Sequence, residues 1–134
     1  PGPRLQPEDP RHRARMNQAI SVLDAYGYRT LVWDIFVERV RAPMQGRQSD
    51  EARIAAALPQ AVTCLTALEA LMNGQKWLAG DRLTLADLHA APMFVYFTMT
   101  PEGRTLMARH RTLLGWWEAI SGRPSMAQTR SPFE

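Results

Sequence analysis

The sequence has a single cysteine, Cys64, among its 134 residues, which excludes an internal disulfide and fits a reducing compartment. Glycine occurs only 8 times, and the alternation of β-branched and polar residues that is typical of strands is nearly absent. The abundant residues (alanine, leucine, methionine, arginine and glutamine) favour helices. Apolar residues make up 46% of the chain, so we expect one all-α domain with a hydrophobic core.

Candidate metal ligands and catalytic motifs are also scarce. The three histidines, His12, His89 and His110, are scattered, and none has a second ligand at the spacing of a zinc motif. There is no glycine-rich phosphate loop and no G-x-S-x-G motif. Cys64 lies in an apolar helical run, which indicates a buried residue, and His89 is expected to be a partly buried packing residue or hydrogen-bond partner. We therefore expect no bound metal and no complete catalytic site.

Positive charge is modest, with a formal net charge of +3. The excess is concentrated near the start of the chain, at Arg4, Arg11, Arg13 and Arg15. No interleaved aromatic residues accompany these arginines, so a solvated first turn or a contact with another domain is favoured over nucleic-acid binding. We recognise no signal peptide and no transmembrane run, and we expect a cytoplasmic protein without a membrane. The opening Pro1-Gly2-Pro3, without an initiator methionine, predicts that residues 1–9 are a linker from a missing N-terminal domain.

Capping and stop signals divide the chain into five or six helices. The predicted helices run from Pro10 to about Val40, from Ser49 or Asp50 to Asn73-Gly74, from Thr84 to about 98, from Thr100 to about Ala108, and from about Leu113 to Gly122, before a last turn at Arg123. The first helix has more than one apolar stripe and should be covered on two sides. Gly27 in its middle predicts a close approach or a bend. Pro59 and Pro92 predict kinks, and residues 131–134 are expected to be a loose tail.

The stretch from Ala79 to Leu88 predicts the centre of the fold. Thr84 is a natural N-cap, and the Asp87 carboxylate can reach back to the Thr84 amide, which makes a capping box with Asp in place of Glu. The following residues are apolar on nearly every side, so we expect a buried central helix at about 84–98. Thr84→Ala and Asp87→Ala should each cost roughly 1–2 kcal/mol.

This stretch, Leu78-Ala79-Gly80-Asp81-Arg82-Leu83-Thr84-Leu85-Ala86-Asp87, closely resembles the start of the central helix in the C-terminal helical domain of bacterial-type cytosolic glutathione S-transferases. The resemblance continues through Trp116-Trp117-Glu118 and Arg123-Pro124-Ser125, and loosely back to Pro10. It implies that residues 10–130 form such a domain and that residues 131–134 follow it as a tail.

The resemblance implies a transferase that conjugates glutathione to a hydrophobic electrophile, as in detoxification. In that family an N-terminal thioredoxin-like domain carries the thiol-activating residue and most glutathione contacts, and no segment here resembles that domain. The helical half forms one wall of the electrophile pocket and much of a homodimer interface. It follows that no catalytic residue is expected in this chain and that glutathione is a co-substrate, with no cofactor. The alternatives are a non-enzymatic binding or assembly module of the same fold and an unrelated helical bundle.

On this resemblance, five residues are site candidates. Asp24 corresponds to an acidic residue that, in some bacterial members, reaches the glutathione amino group from across the dimer; a carboxylate suits an ammonium group. Tyr26 falls where such members place a polar residue facing the thiol. Tyr28, Trp33 and Met93 are further candidates for the electrophile pocket. The alternatives are a solvated Asp24 and a core Tyr26 at helical spacing.

Overall fold

The computed structural model describes residue 2, residues 4–131 and residue 133, and in this part of the chain it forms six helices and no strand. Helix α1 has three consecutive segments, Pro10–Val22, Leu23–Arg41 and Ala42–Met44; it is followed by α2 (Glu51–Met72), α3 (Leu85–Thr98), α4 (Pro101–Arg109), α5 (Arg111–Ser121) and α6 (Pro124–Gln128). The prediction of an all-α bundle is confirmed. The predicted linker and tail lie partly outside the described residues, at Pro1, Pro3, Pro132 and Glu134.

Helix α1 changes its hydrogen-bonding pattern along its length. It starts at the N-cap Asp9 as an α-helix, and over Leu23–Arg41 it is a π-helix, in which an amide bonds to the carbonyl five residues earlier. The predicted long helix from Pro10 to about Val40 is present and extends further, to Met44, and its π-helical part was not expected. The chain continues as an α-helical turn over Ala42–Met44 because Pro43 lies in the first turn of that segment, where proline is tolerated.

Helices α1 and α2 approach each other closely at Gly27. A methyl group on Gly27 would lie 3.5 Å from the Cys64 sulfur on α2 and 3.2 Å from Leu23 Cδ2, so the predicted close approach is confirmed. Cys64 is 3% exposed, and burial raises the pKa of its thiol to about 11. The thiol is therefore protonated at neutral pH and is a packing residue rather than a nucleophile.

Helix α2 has the length and composition to cross a membrane, with a mean hydropathy of 1.5 over its most apolar window, 33% of which is buried; no other described helix has both. Length and composition thus do not support the prediction that no transmembrane run is present. The core helix of a soluble protein has the same two features. The side chains of Leu65, Leu68 and Met72 are fully buried in the shared core, as in such a helix.

Helix α3 supplies the centre of the hydrophobic core. Phe94 and Phe97 are fully buried, and the Phe94 ring meets Trp116 of α5 edge-on at 4.9 Å between centroids. The expectation that this helix is surrounded on every side is wrong at its N-terminal half, where Leu85 is 43% and Leu88 is 39% exposed. Both leucines therefore lie on the outer surface of the described part of the chain.

A tight turn joins α3 to α4. The Thr100 hydroxyl donates to the Phe97 carbonyl at 2.7 Å and accepts the Gly103 amide at 2.9 Å, which caps α4. Thr100 and Gly103 are both buried. A methyl group on Gly103 would lie 1.9 Å from the Phe97 carbonyl oxygen, so this packing requires glycine.

Helix α5 begins without a side-chain cap from its own N-terminal residue, His110. Instead, Glu69 on α2 accepts the backbone amides of Thr112 and Leu113, at 2.8 and 3.2 Å. A carboxylate at a helix N-terminus satisfies free amides and complements the helix dipole. Helix α2 therefore fixes where α5 starts.

Of the predicted loose tail, the described residues Ser131 and Phe133 pack against α1 and α3. The Phe133 ring contacts Phe36 and Tyr96, at 6.1 and 6.3 Å between centroids, and the Arg41 guanidinium lies over it at 5.9 Å. The Ser131 hydroxyl donates to the Tyr96 hydroxyl at 3.2 Å. These contacts hold Ser131 and Phe133 against the bundle, which the tail sequence did not indicate.

Candidate functional site

Four of the five predicted site residues lie in the π-helical segment of α1. Their exposed fractions are 60% for the Asp24 side chain, 65% for Tyr26, 47% for Tyr28 and 43% for Trp33. The alternative of a core Tyr26 is therefore wrong. Met93 is only 8% exposed and belongs to the hydrophobic core. The structure consequently does not bring all five side chains into one pocket.

Asp24 is bonded to helix α3. Its Oδ1 atom lies 2.7 Å from Nε2 of His89, a residue 65 positions away in the sequence. The His89 side chain is 38% exposed, so the predicted role of His89 as a partly buried hydrogen-bond partner is confirmed. His89 is the one partner of the Asp24 side chain within the described residues, and the second carboxylate oxygen of Asp24 is free to accept a further donor.

Tyr28 and Trp33 line a concave surface of about 430 Å³ together with Arg29 and Arg53. Tyr28 and Trp33 are five residues apart, a separation that the π-helical pattern places on one side of the helix. Arg29 and Asp34 are also five residues apart, and Arg29 Nε donates a hydrogen bond to Asp34 Oδ1 at 3.1 Å. We name the four lining residues the Tyr28–Trp33 surface. Neither arginine was among the residues that the family resemblance implied, and Arg53 lies on a different helix, so no spacing within α1 could indicate it.

Two carboxylates with little exposed surface hold Arg53 of α2 at this surface. Arg53 Nε donates to Asp34 Oδ1 at 2.7 Å, and Nη1 donates to Glu38 Oε1 at 3.0 Å. The hydrogen bond from Arg53 to Asp34 raises the pKa of Arg53 above its ordinary value, so the guanidinium stays charged. The Asp34 and Glu38 side chains are only 14% and 7% exposed, whereas the Arg29 side chain is 70% exposed. A ligand approaching from solvent would meet guanidinium groups before carboxylates.

The Thr84–Asp87 capping box opens α3, and its carboxylate is fully buried. Asp87 Oδ2 accepts the Thr84 amide at 2.7 Å and the Thr84 hydroxyl at 3.0 Å. Asp87 Oδ1 accepts the Leu78 amide and the Trp116 indole N–H, each at 2.9 Å. The last two bonds carried no sequence signal, because their donors lie on a loop and on α5. Asp87 therefore has a structural role that extends beyond its own helix.

A second cavity, of about 330 Å³, lies between the residues before α1 and the turn before α3. Asp9 and His12 pair at its edge, with His12 Nδ1 at 2.6 Å from Asp9 Oδ2. Hydrogen bonds from the His12 backbone and ring lower the pKa of Asp9. Among the described residues, no group of three or more His, Cys, Asp or Glu side chains is placed to hold a metal ion.

The all-helical fold agrees with the comparisons with known proteins. The family described as "Glutathione S-transferase, C-terminal domain" matches residues 10–124. The chain belongs to this family. Glutathione S-transferase F9 of Arabidopsis thaliana is 30% identical over 96% of this chain and 59% of that protein. The solved structure of glutathione S-transferase III in its apo form has a TM-score of 0.84 and 29% identity, over 93% of this chain and 56% of that one.

A further solved relative, glutathione S-transferase-I bound with lactoylglutathione, has a TM-score of 0.80 and 25% identity, over 90% of this chain and 56% of that one. The chain thus spans a little more than half the length of these relatives. Glutathione S-transferases F13 and F9, both of Arabidopsis thaliana, are plant proteins, so the expectation of a bacterial-type enzyme is not supported.

Proposed function

We propose that this chain is the helical half of a glutathione S-transferase and that the intact protein conjugates glutathione to a hydrophobic electrophile. The family match over residues 10–124 carries the proposal. The relative bound with lactoylglutathione supports glutathione chemistry. The thiol-activating residue and most glutathione contacts would come from an N-terminal thioredoxin-like domain, with glutathione as co-substrate and no further cofactor. We place this enzyme in the cytoplasm.

The position of Asp24 supports a contact with the amino group of glutathione bound to a partner subunit. His89 holds one carboxylate oxygen at 2.7 Å, which orients the side chain and leaves the other oxygen accessible. A charge-assisted bond from an ammonium group would fit that second oxygen. The exposed Leu85 and Leu88 on α3 support a contact with the N-terminal domain, since a neighbouring domain would cover apolar surface that this chain leaves open.

The division of labour between the two domains predicts that the 134-residue chain alone is inactive. A single exposed ion pair at Asp24 contributes less than about 1 kcal/mol, too little to hold a flexible tripeptide. Calorimetry should therefore detect no glutathione binding by this chain, and the intact protein should conjugate glutathione to 1-chloro-2,4-dinitrobenzene. Activity in the isolated chain would overturn the proposed roles. Glutathione binding by the intact protein without conjugation of any electrophile would favour the binding or assembly module.

Within the intact protein, Asp24→Asn should raise the KM for glutathione by up to about fivefold and leave kcat nearly unchanged, because it weakens one binding contact. Tyr26→Phe should instead change kcat or the KM for the electrophile. Asp81→Asn, at an exposed carboxylate before α3, is the matched control and should leave all constants unchanged. Wild-type kinetics in both site variants would remove Asp24 and Tyr26 from the site.

We also propose that the intact protein is a two-fold homodimer in which α1 and α2 contribute to the interface. The outer face of α2 carries exposed small or apolar residues, including Ala55, Ala56, Pro59 and Val62, the last 39% exposed. Light scattering of the intact protein at tens of micromolar should therefore give twice the subunit mass. A monomer at that concentration would contradict both the dimer and a contact of Asp24 across it.

A further inference from the structure

The Tyr28–Trp33 surface combines two kinds of group that favour one class of ligand. The two aromatic side chains are about half exposed, at 47% and 43%, and their rings offer flat apolar contact area. Arg29 adds a guanidinium at the same surface. A ligand that matches both would carry a planar ring and a group that accepts two parallel hydrogen bonds.

Arg29 has unused donors at this surface. Only its Nε is bonded, to Asp34 Oδ1 at 3.1 Å, and within the described residues neither of its terminal nitrogens has a protein partner. The bond to Asp34 orients the guanidinium plane and leaves the terminal nitrogens for a ligand. Arg53, in contrast, is fully engaged by Asp34 and Glu38 and forms a fixed part of the wall.

The positive and negative charges at this surface are equal in number, but the positive charges are more exposed to solvent than the negative ones. The two arginines are matched by Asp34 and Glu38, but these carboxylates lie behind the guanidinium groups and are nearly buried. A ligand carboxylate would therefore meet the exposed nitrogens of Arg29 first. Arginine binds a planar carboxylate through two parallel N–H donors, a geometry that a neutral amide of the same shape cannot accept fully.

We propose that the Tyr28–Trp33 surface binds an aromatic carboxylate, with its ring against Tyr28 and Trp33 and its carboxylate on the free nitrogens of Arg29. The proposal rests on the proposed function in taking this surface as the wall for the electrophile, and it specifies the electrophile as an aromatic acid. Arg29 is then the specificity-determining residue. For an aryl chloride, the glutathione thiolate forms a bond to the ring carbon and chloride leaves with its electron pair, while the carboxylate takes no part.

The test compares 4-chloro-3-nitrobenzoate with 4-chloro-3-nitrobenzamide, which share a ring and leaving group and differ in charge. Calorimetry on the 134-residue chain without glutathione measures binding alone, since the one thiol, Cys64, is buried. The benzoate should bind about tenfold more tightly than the benzamide, the ratio expected when a charge-assisted hydrogen bond is gained. Equal affinities for the two compounds would overturn the proposal.

Variants of the surface test whether Arg29 causes the preference for the benzoate over the benzamide. Arg29→Gln should abolish the difference between benzoate and benzamide, Arg29→Lys should retain part of it, and Trp33→Leu should weaken both compounds alike. Arg47→Gln, at an exposed arginine after α1 that does not line this surface, is the control and should behave as wild type. Loss of the preference in Arg47→Gln, or its survival in Arg29→Gln, would contradict the assignment. Affinity that falls as the chain concentration rises would mean that a second copy occupies the surface instead.

The same two compounds separate this inference from the function on which it rests. In the intact protein, the ratio of kcat/KM for the benzoate to kcat/KM for the benzamide should be about ten times the ratio of their uncatalysed rates with glutathione. Arg29→Gln should remove this tenfold factor. Conjugation of 1-chloro-2,4-dinitrobenzene without any preference for the benzoate would overturn the inference and leave the transferase standing. Preferential benzoate binding by an intact protein that conjugates nothing would overturn the transferase.

Discussion

Asp87→Ala should lower the free energy of unfolding by about 3–5 kcal/mol, because it leaves several buried donors unpaired. The carboxylate accepts bonds from the Leu78 and Thr84 amides, the Thr84 hydroxyl and the Trp116 indole, and none of these donors can reach water without rearrangement. The cap alone would account for roughly 1–2 kcal/mol, as expected from the sequence. Denaturant unfolding followed by circular dichroism measures the loss as a lower midpoint.

Two further variants divide the effect of Asp87 into its parts. Thr84→Ala removes one donor and should cost about 1 kcal/mol. Trp116→Phe keeps most of the buried ring but removes the indole N–H, and a double-mutant cycle with Asp87→Ala should show a clear coupling energy. Asp81→Ala, at an exposed carboxylate in the same turn, is the control and should be within about 0.5 kcal/mol of wild type. Equal midpoints for Asp87→Ala and wild type would refute the structural role of this carboxylate.

Gly103→Ala should destabilise the fold by about 3 kcal/mol or more, because the added methyl group meets backbone rather than a movable side chain. It would lie 1.9 Å from the Phe97 carbonyl oxygen and 3.0 Å from the Thr100 hydroxyl oxygen. To relieve the contact, α4 must move away from the end of α3 and lose the Thr100 cap. Thermal unfolding should show a large fall in the midpoint.

The same substitution at Gly115 is the matched control. Gly115 lies in α5, is exposed, and would bring its methyl group within 4 Å of no other group. Gly115→Ala should therefore stabilise the protein by up to about 1 kcal/mol, since alanine favours the helix. If both glycine variants stabilise, the close packing of α3 against α4 is wrong.

The sequence was sufficient to predict the features of the fold that are set by residues close together in the chain, such as helix starts. The N-caps Asp9, Thr84 and Thr100 each lie at the start of a helix, as their spacing to the first turn indicated. The burial of Cys64 also followed from its place in an apolar helical run. These features are local, so a short segment contains the information needed to identify them.

The candidate site was less predictable because its contacts join distant segments or depend on helix type. The Asp24–His89 pair spans 65 positions. The grouping of Tyr28 with Trp33, and of Arg29 with Asp34, follows from a π-helical pattern that the sequence did not indicate. Met93 packs inward with the hydrophobic core, away from the other four candidates.

The cap that Glu69 supplies to α5 bears on the order in which the chain folds. Its donors, Thr112 and Leu113, lie 43 and 44 positions further along, and the Trp116 donor likewise follows its acceptor Asp87 by 29 positions. During synthesis the carboxylates therefore emerge before the groups that they bind, and α5 docks onto a surface that already holds its acceptors. A fragment that begins at Pro101 would contain α5 but neither carboxylate, and should remain unfolded until the preceding helices are added in trans.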